Sequence, residues 1–422
     1  MSRPLPLLAT ALALLGAVPA AARTGPCRPG DPSSPTCQVW MSTERTINDG
    51  DTIGVDIDGD GTSKVFQIRF SGIQAMEETV YSSHESKLRG QCHAVAAARE
   101  VYRLMRAGHH RVRLTAQDPQ TDSLGRLFRN LQVRIKGRWV DVGTDEMRKG
   151  LTLWMHVRNE TAYNRIYNTL GQQAMHKHIG MWNPTTCGVG PDQDVPLKVW
   201  VMSDPLQDDT ADTEWMKIRN QGSTDVPLAH WWVRDSGLRR YTFPDGTVLR
   251  AGHTITVYVG HGPAGPDNFD WGLPGTVFEN SINGGDVGDG AYLFDPKGDL
   301  RDYMVYPCIV QCSDPLQGAV RVTAHPEGRE YVLIKNVTSQ PVGLYGYELR
   351  MPGGYAFPPG TAIAPGDTLT VFVEGSPSQD TSTVLHEGVP GAYMPDSGGA
   401  VEVTTFDEID LDCDSWGSGR CY

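Results

Sequence analysis

Long apolar runs are missing from most of this 422-residue sequence. Beyond the N-terminus, no segment reaches the ~18 consecutive apolar residues that a membrane-spanning helix needs, so we predict no membrane span. Cysteines at two-residue spacing, which are typical of structural zinc sites, are also missing. No Gly-rich phosphate loop and no Ser/His/Asp arrangement stands out, so nothing favours P-loop or serine-hydrolase chemistry.

Glycine and proline are abundant, with 47 and 29 residues respectively. Such a composition favours many turns and short strands over long helices. The chain is also too long for one compact domain, since domains of about 100–200 residues are typical. We therefore predict a multidomain, mainly β protein.

The first 22 residues are typical of a secretory signal peptide. They combine a basic start at Arg3, an apolar run over 5–18 and an alanine triplet at 20–22. A buried N-terminal helix is the alternative, but the run is short and has no polar face. We therefore expect residues 1–22 to be removed and the protein to be secreted.

The eight cysteines form an even set in a chain predicted to be exported, where disulfides are the default. A zinc site is the alternative, but the spacing and the oxidising compartment disfavour it. The sequence leaves the connectivity open, and we predict that neighbouring cysteines pair. The predicted bonds are Cys27–Cys37, Cys92–Cys187, Cys308–Cys312 and Cys413–Cys421. Residues 23–37 are then predicted as a leader held by a small disulfide loop.

Charge is divided unevenly along the chain, whose formal net charge is −13. Residues 38–184 carry 20 Lys and Arg against 16 Asp and Glu, whereas residues 185–422 carry 14 against 33. Attraction to phosphates requires a cationic surface. We therefore expect residues 38–184 to bind any polyanion. We expect the acidic residues 185–422 to repel nucleic acid unless divalent cations bridge the two.

Three short segments carry candidate catalytic residues. They are 49–52 (Asp-Gly-Asp-Thr), 69–77 (Arg-Phe-Ser-Gly-Ile-Gln-Ala-Met-Glu) and 122–126 (Asp-Ser-Leu-Gly-Arg). Cleaving a phosphodiester builds charge on a five-coordinate phosphorus, which guanidinium groups stabilise while a carboxylate activates water. Two arginines with a glutamate and a carboxylate pair therefore predict phosphodiester hydrolysis.

The order and spacing of these segments resemble the thermonuclease family, the staphylococcal-nuclease-like proteins. The resemblance implies that Arg69 and Arg126 are catalytic arginines, that Glu77 is the general base and that Asp51 is a calcium ligand. The family's further calcium-ligating Asp is Gln74 here, and an amide oxygen brings no charge to a hard cation. We therefore expect Ca²⁺ as cofactor, at a weakened site formed by Asp51 and Gln74.

The resemblance covers residues 38–184 and implies an OB-fold barrel with three helices, whose grooved face receives single-stranded DNA or RNA. The family's nucleotide-contacting positions fall on Leu124, His156 and Arg158, which are weak substrate-binding candidates. The predicted strands are 39–47, 52–57, 64–73, 111–116 and 127–135, and the predicted helices are 84–107, 143–149 and 160–178.

An internal repeat follows residue 184. Positions 227, 243, 246, 252 and 255 match positions 341, 357, 360, 366 and 369, each 114 residues later. Each copy holds alternating strands around a Phe-Pro-x-Gly turn, which predicts an Ig-like β-sandwich. The pattern around Trp215 and Asn220 resembles the lamin-tail domain of exported bacterial proteins. We place the copies at 194–308 and 312–415, as candidate binding modules for an envelope or extracellular protein.

Three functions compete on these observations. A secreted, calcium-dependent endonuclease acting on single-stranded or denatured DNA or RNA is favoured. The second is a degenerate barrel that binds single strands without cutting them, which Gln74 and Met76, in place of the family's Asp and Pro, would allow. The third makes the acidic sandwiches the functional part, as a protein- or envelope-binding module.

Overall fold

A computed structural model describes residues 22–78, 90–186, 195–202, 210–280, 286–351, 354–391 and 393–421. Most of the predicted signal peptide and the start of the predicted helix 84–107 lie outside these residues. The strands of the N-terminal part are β1 (Arg23–Pro26), β2 (Thr36–Ile47), β3 (Thr52–Ile57), β4 (Val65–Phe70), β5 (Ile73–Ala75), β6 (Arg111–Ala116), β7 (Leu127–Ile135), β8 (Arg138–Asp141) and β9 (Thr152–Trp154). Its helices are α1 (Ala94–Ala107), α2 (Val142–Arg148) and α3 (Asn164–His176).

Five of these strands close into a barrel. β2 pairs with β3 and with β6, β3 pairs with β4, β4 runs parallel to β7, and β7 pairs with β6. The 12 residues of β2 and its register shift between Glu44 and Thr46 let it pair along both edges. Closure removes free sheet edges. The predicted barrel with three helices is therefore present, and it is compatible with an OB-like fold.

Alternate strand positions fill the barrel interior. Ile53 and Val55 on β3 and Val112 and Leu114 on β6 are all buried, as the two-residue period of a strand predicts. Helix α1 adds an apolar face at Val101 to the same core. Among the described residues, no helix is both long and apolar enough to cross a membrane.

Two β-sandwiches follow the barrel and share one strand order. The first contains β10 (Leu197–Val201), β11 (Trp215–Asn220), β12 (Val226–Pro227), β13 (Trp232–Arg234), β14 (Arg240–Thr242), β15 (Val248–Leu249), β16 (Thr254–Tyr258), β17 (Asn268–Asp270), β18 (Asp289–Phe294) and β19 (Leu300–Tyr306). The second contains β20 (Val320–His325), β21 (Tyr331–Asn336), β22 (Val342–Gly343), β23 (Tyr347–Arg350), β24 (Tyr355–Ala356), β25 (Ala362–Ile363), β26 (Thr368–Phe372), β27 (Val384–His386), β28 (Gly398–Thr405) and β29 (Asp410–Gly417). The sheets β10-β11-β16-β17 and β14-β13-β18-β19 of the first correspond to β20-β21-β26-β27 and β24-β23-β28-β29 of the second.

The repeat extends to buried hydrogen bonds. The side-chain amide of Asn220 donates to the carbonyl of Leu249 at 3.1 Å, and that of Asn336 donates to the carbonyl of Ile363 at 2.9 Å. Both asparagines are fully buried at the end of corresponding strands. The predicted duplication is therefore present in strand order and in the contacts that hold the strands.

Three of the four predicted disulfides are confirmed. Cys27–Cys37, Cys308–Cys312 and Cys413–Cys421 are bonded. Cys92 is also disulfide-bonded, while its predicted partner Cys187 lies outside the described residues. Disulfides of this number indicate an oxidising, extracellular environment. The predicted leader contributes β1, which pairs with β2 and so belongs to the sheet.

The barrel and the first sandwich share one hydrophobic core. Trp232, Tyr292 and Phe294 of the sandwich belong to the same buried cluster as the barrel interior. Trp182, which follows α3, packs edge-on against Tyr303 with ring centroids 4.7 Å apart. Burial of such aromatic surface is a large apolar contribution to docking, so the two domains pack as one unit.

Helix α2 carries a buried carboxylic acid in this core. Glu146 is fully buried, and neither carboxylate oxygen has a hydrogen-bond partner in the described part of the chain. Burial, followed by repulsion from Asp51 and Glu100, raises the pKa of Glu146 well above its ordinary value. The folded state therefore keeps the Glu146 carboxyl protonated at a pH where the same group is ionised in the unfolded chain.

We expect Glu146→Gln to stabilise the protein at pH 8 by on the order of 1–3 kcal/mol, with little effect at pH 4. Above the pKa that Glu146 has in the unfolded chain, the folded state binds one proton more than the unfolded state. The free energy of unfolding of the wild type therefore falls as pH rises above that pKa. The amide in Glu146→Gln does not ionise, so the variant lacks this pH-dependent fall. Unfolding midpoints measured between pH 4 and 8 test it, with the exposed Glu327→Gln as control. An equal pH dependence in wild type and Glu146→Gln contradicts the prediction.

Candidate active site

Strand pairing brings the three predicted catalytic segments to one end of the barrel. Thr52 on β3 lies opposite Arg69 on β4, and β4 runs parallel to β7, which begins directly after Arg126. β4 passes into β5 through Gly72, which has a φ of +81°. A Cβ on Gly72 would lie 2.8 Å from the ring of Tyr167, so the turn requires glycine.

Arg69 is buried at 3% exposure and fixes the turn between β4 and β5. Its Nη1 donates to the carbonyls of Phe70 at 2.9 Å and Ile73 at 2.8 Å. Its Nη2 lies 3.4 Å from Oδ2 of Asp51 and donates a short hydrogen bond to Oε1 of Gln74. The guanidinium is thus held rigidly, in contact with both predicted metal-ligand residues.

Gln74 connects Arg69 to the predicted base. Its Nε2 donates to Oε1 of Glu77 at 3.1 Å and to the carbonyl of Ala75 at 3.0 Å. An aspartate at this position could accept from Arg69 but has no N–H to offer Glu77. The amide is therefore a neutral link between a cation and a carboxylate, and its oxygen is already engaged by Arg69.

Arg126 joins the same network from the 122–126 turn. Its Nε donates to Oδ2 of Asp122 at 2.6 Å, and its Nη1 lies 3.3 Å from Oγ1 of Thr52. The Thr52 hydroxyl donates to Oδ1 of Asp51 at 2.9 Å. One continuous set of hydrogen bonds and one ion pair therefore links the predicted catalytic and metal-binding residues.

The carboxylates of the site perturb one another. Burial and then repulsion from Asp51 raise the pKa of Glu77 to about 7. Burial and then repulsion from Asp51 also raise the pKa of Asp49 to about 6. A group whose pKa lies near the working pH can take up a proton and release it again, as a general base must.

The donor set for a divalent cation is smaller than the resemblance implies. No group of three or more His, Cys, Asp or Glu side chains that could hold a metal is found among the described residues. The Gln74 oxygen accepts a hydrogen bond from Arg69. The donors that remain for a cation are therefore the adjoining carboxylates of Asp49 and Asp51. Two carboxylates fit a hard cation that takes its other ligands from water and a substrate phosphate.

The predicted substrate-binding residues lie on two separate segments of the chain. Leu124 is 77% exposed on the turn that carries Arg126. The His156 side chain is 9% exposed, with Nδ1 3.9 Å from a carboxylate oxygen of Glu279 in the first sandwich. Arg158, two residues further along the chain, is exposed.

Two residues at the site were not foreseen from the sequence. The Gln91 side chain accepts from the backbone N–H of Glu77 at 2.8 Å, and the Gln91 N–H donates to the Glu77 carbonyl at 2.8 Å. Arg234 of the first sandwich is an electrostatic partner of Glu77 and Asp51. Gln91 lies in no motif, and only the docking of the two domains brings Arg234 here.

Comparison with known proteins identifies one part of the chain. A family model, the Lamin Tail Domain, matches residues 199–308. No curated protein matches the chain, and no nuclease family matches the barrel. The first of the two predicted lamin-tail sandwiches is therefore confirmed as a Lamin Tail Domain, with an Ig-like fold.

Proposed function

We propose that the barrel is a secreted phosphodiesterase that hydrolyses single-stranded or denatured DNA or RNA. The observation that carries the proposal is the single network joining Arg69, Gln74 and Glu77 on one side to Asp51 and Arg126 on the other. Two guanidinium groups and one carboxylic acid thus converge although they lie up to 57 positions apart in the sequence. That combination supplies both the charge stabilisation and the base that phosphodiester cleavage needs.

In this mechanism, Glu77 accepts the proton of a water molecule whose oxygen attacks the phosphorus. Arg69 and Arg126 stabilise the negative charge that builds on the equatorial phosphate oxygens. The bond to the 5′-oxygen breaks, that oxygen takes up a proton from solvent water, and a 3′-phosphate remains on the other fragment. Because Arg69 is fixed by two backbone carbonyls, its position is set before the substrate binds.

The proposed cofactor is Ca²⁺, held by the carboxylates of Asp49 and Asp51. Bound there, it would polarise a phosphate oxygen and offset the repulsion between the two acids. Gln74 serves in this proposal as a positioning residue for Glu77 through its N–H group, because its oxygen faces Arg69.

A second candidate function is single-strand binding without cleavage. The engagement of the Gln74 oxygen by Arg69 favours it, since the site then lacks one of the family's metal ligands. For the sandwiches, we propose a binding role towards an extracellular or envelope protein, with residues 312–415 as a second lamin-tail-like copy. The strand order that the two sandwiches share supports the assignment of the second copy. Their acidic charge disfavours nucleic acid as a ligand.

We expect Glu77→Gln to lower kcat on denatured DNA by roughly 10²–10⁴-fold, the range of a general base. The neighbouring exposed acid gives a matched control, because Glu78→Gln makes the same chemical change one residue away. The assay follows release of acid-soluble nucleotides with Ca²⁺ and with a chelator. Cleavage by Glu77→Gln at the wild-type rate contradicts the assignment of Glu77 as the base. If the wild type itself does not cleave, single-strand binding without cleavage is the better account.

We expect Gln74→Asp to lower the Ca²⁺ concentration for half-maximal activity roughly tenfold, because a third carboxylate strengthens a hard-cation site. Calcium titrations of the initial rate measure this, with the exposed Gln38→Asp on β2 as control for a general change in charge. A calcium requirement that stays the same in Gln74→Asp contradicts the prediction that added negative charge at position 74 strengthens the site held by Asp49 and Asp51.

A further inference from the structure

A tight turn of the Lamin Tail Domain lies against the barrel. It joins β18 to β19 over residues 295–299, and the buried Asp295 holds it from within. One carboxylate oxygen of Asp295 accepts from the backbone N–H of Asp299 at 3.0 Å, and Arg301 pairs with the other. Gly298 lies in this turn with a φ of +85°, which glycine adopts without strain. The sandwich therefore presents the Gly298 backbone in a fixed position.

This turn contacts the segment that precedes α1. The carbonyl of Gly298 accepts from the N–H of Cys92 at 3.1 Å, across the boundary between the two domains. A Cβ on Gly298 would lie 3.2 Å from Cα of Gln91. A methyl group at position 298 would therefore press on the backbone of Gln91.

Gln91 in turn fixes the backbone of Glu77. Its side-chain oxygen accepts from the Glu77 N–H at 2.8 Å, and its own N–H donates to the Glu77 carbonyl at 2.8 Å. Gln91 is 6% exposed, so water competes little for these two hydrogen bonds. A Cβ on Gly90 would lie 2.3 Å from the carbonyl oxygen of Glu78, so the two segments run side by side without space between them. A shift of Gln91 is therefore passed on to Glu77.

We propose that Gly298 and Gln91 are positioning residues for Glu77, so that the Lamin Tail Domain sets the placement of the base in the barrel site. The inference rests on the proposed function and deepens it, because activity then depends on the docked pair of domains. Arg69 and Arg126 are held by contacts within the barrel, so a change at Gly298 leaves them in place. The expected signature is a lower kcat at an unchanged KM, since phosphate binding is kept while the base is displaced.

The test compares Gly298→Ala with Gly246→Ala in the whole protein. Gly246 lies in the same domain with a φ of +79°, but a Cβ there would meet no atom of the described residues within 4 Å. Both variants carry similar backbone strain, and only Gly298→Ala presses on Gln91. We expect Gly298→Ala to lower kcat on denatured DNA roughly tenfold at wild-type KM, because a misplacement of about 1 Å costs on the order of a hundredfold and a smaller shift costs less. Gly246→Ala should retain the wild-type kcat.

Hydrogen exchange of the Glu77 backbone amide gives a readout that needs no substrate, because Gln91 accepts from that N–H. Measured by NMR in chelator, the amide should exchange roughly tenfold faster in Gly298→Ala and in Gln91→Met, which lacks the accepting oxygen. Gly246→Ala should exchange at the wild-type rate. Gln91→Glu retains an acceptor and should keep the slow exchange.

Each outcome decides the proposal. Wild-type exchange at Glu77 or a wild-type kcat in Gly298→Ala overturns it, and so does an equal loss of kcat in Gly246→Ala. Should Gly298→Ala fail to fold, Gly298→Asn against Gly246→Asn decides, since asparagine tolerates a positive φ but still carries a Cβ. If the wild type does not cleave, the proposed function fails, and the exchange of the Glu77 amide alone decides whether the sandwich holds this residue.

Discussion

The buried ion pair between Asp51 and Arg69, at 3.4 Å, is the contact on which the rest of the site depends. Asp51 and Arg69 are 4% and 3% exposed. Two charges this deeply buried are tolerated only when their other hydrogen-bonding atoms also have partners. Asp51 accepts from the N–H of Ala75, and Arg69 donates to two carbonyls at the turn that follows it, between β4 and β5. Satisfying the charges therefore fixes the backbone that presents Gln74 and Glu77.

The network also accommodates a glutamine at position 74, where the resemblance to the thermonuclease family implies an aspartate. An amide accepts from Arg69 through its oxygen and donates to Glu77 through its nitrogen, so the geometry is kept while one negative charge is removed. Positioning and metal affinity are thus separable at this position. In the proposed function, the barrel keeps the first and would depend on Asp49 and Asp51 for the second.

Alternation predicted the barrel strands well because it is a local signal, whereas their closure into a barrel was implied by the family resemblance. The strands 52–57, 111–116 and 127–135 were predicted with the bounds that the structure has, since alternation sets which residues face the core. The docking of the sandwich was not predictable, because it depends on apolar side chains about 110 residues apart, such as Trp182 and Tyr292, meeting in space. Arg234 follows two tryptophans and a valine, a run that reads only as a buried strand.

The central claim is that the ends of β3, β4 and β7 form one phosphate site. A crystal structure of the Glu77→Gln protein with a single-stranded oligonucleotide tests it most directly. The account predicts one phosphate within hydrogen-bonding distance of both Arg69 and Arg126. An oligonucleotide bound elsewhere on the barrel or on the sandwiches, with these two guanidinium groups still engaged only by protein atoms, would contradict it.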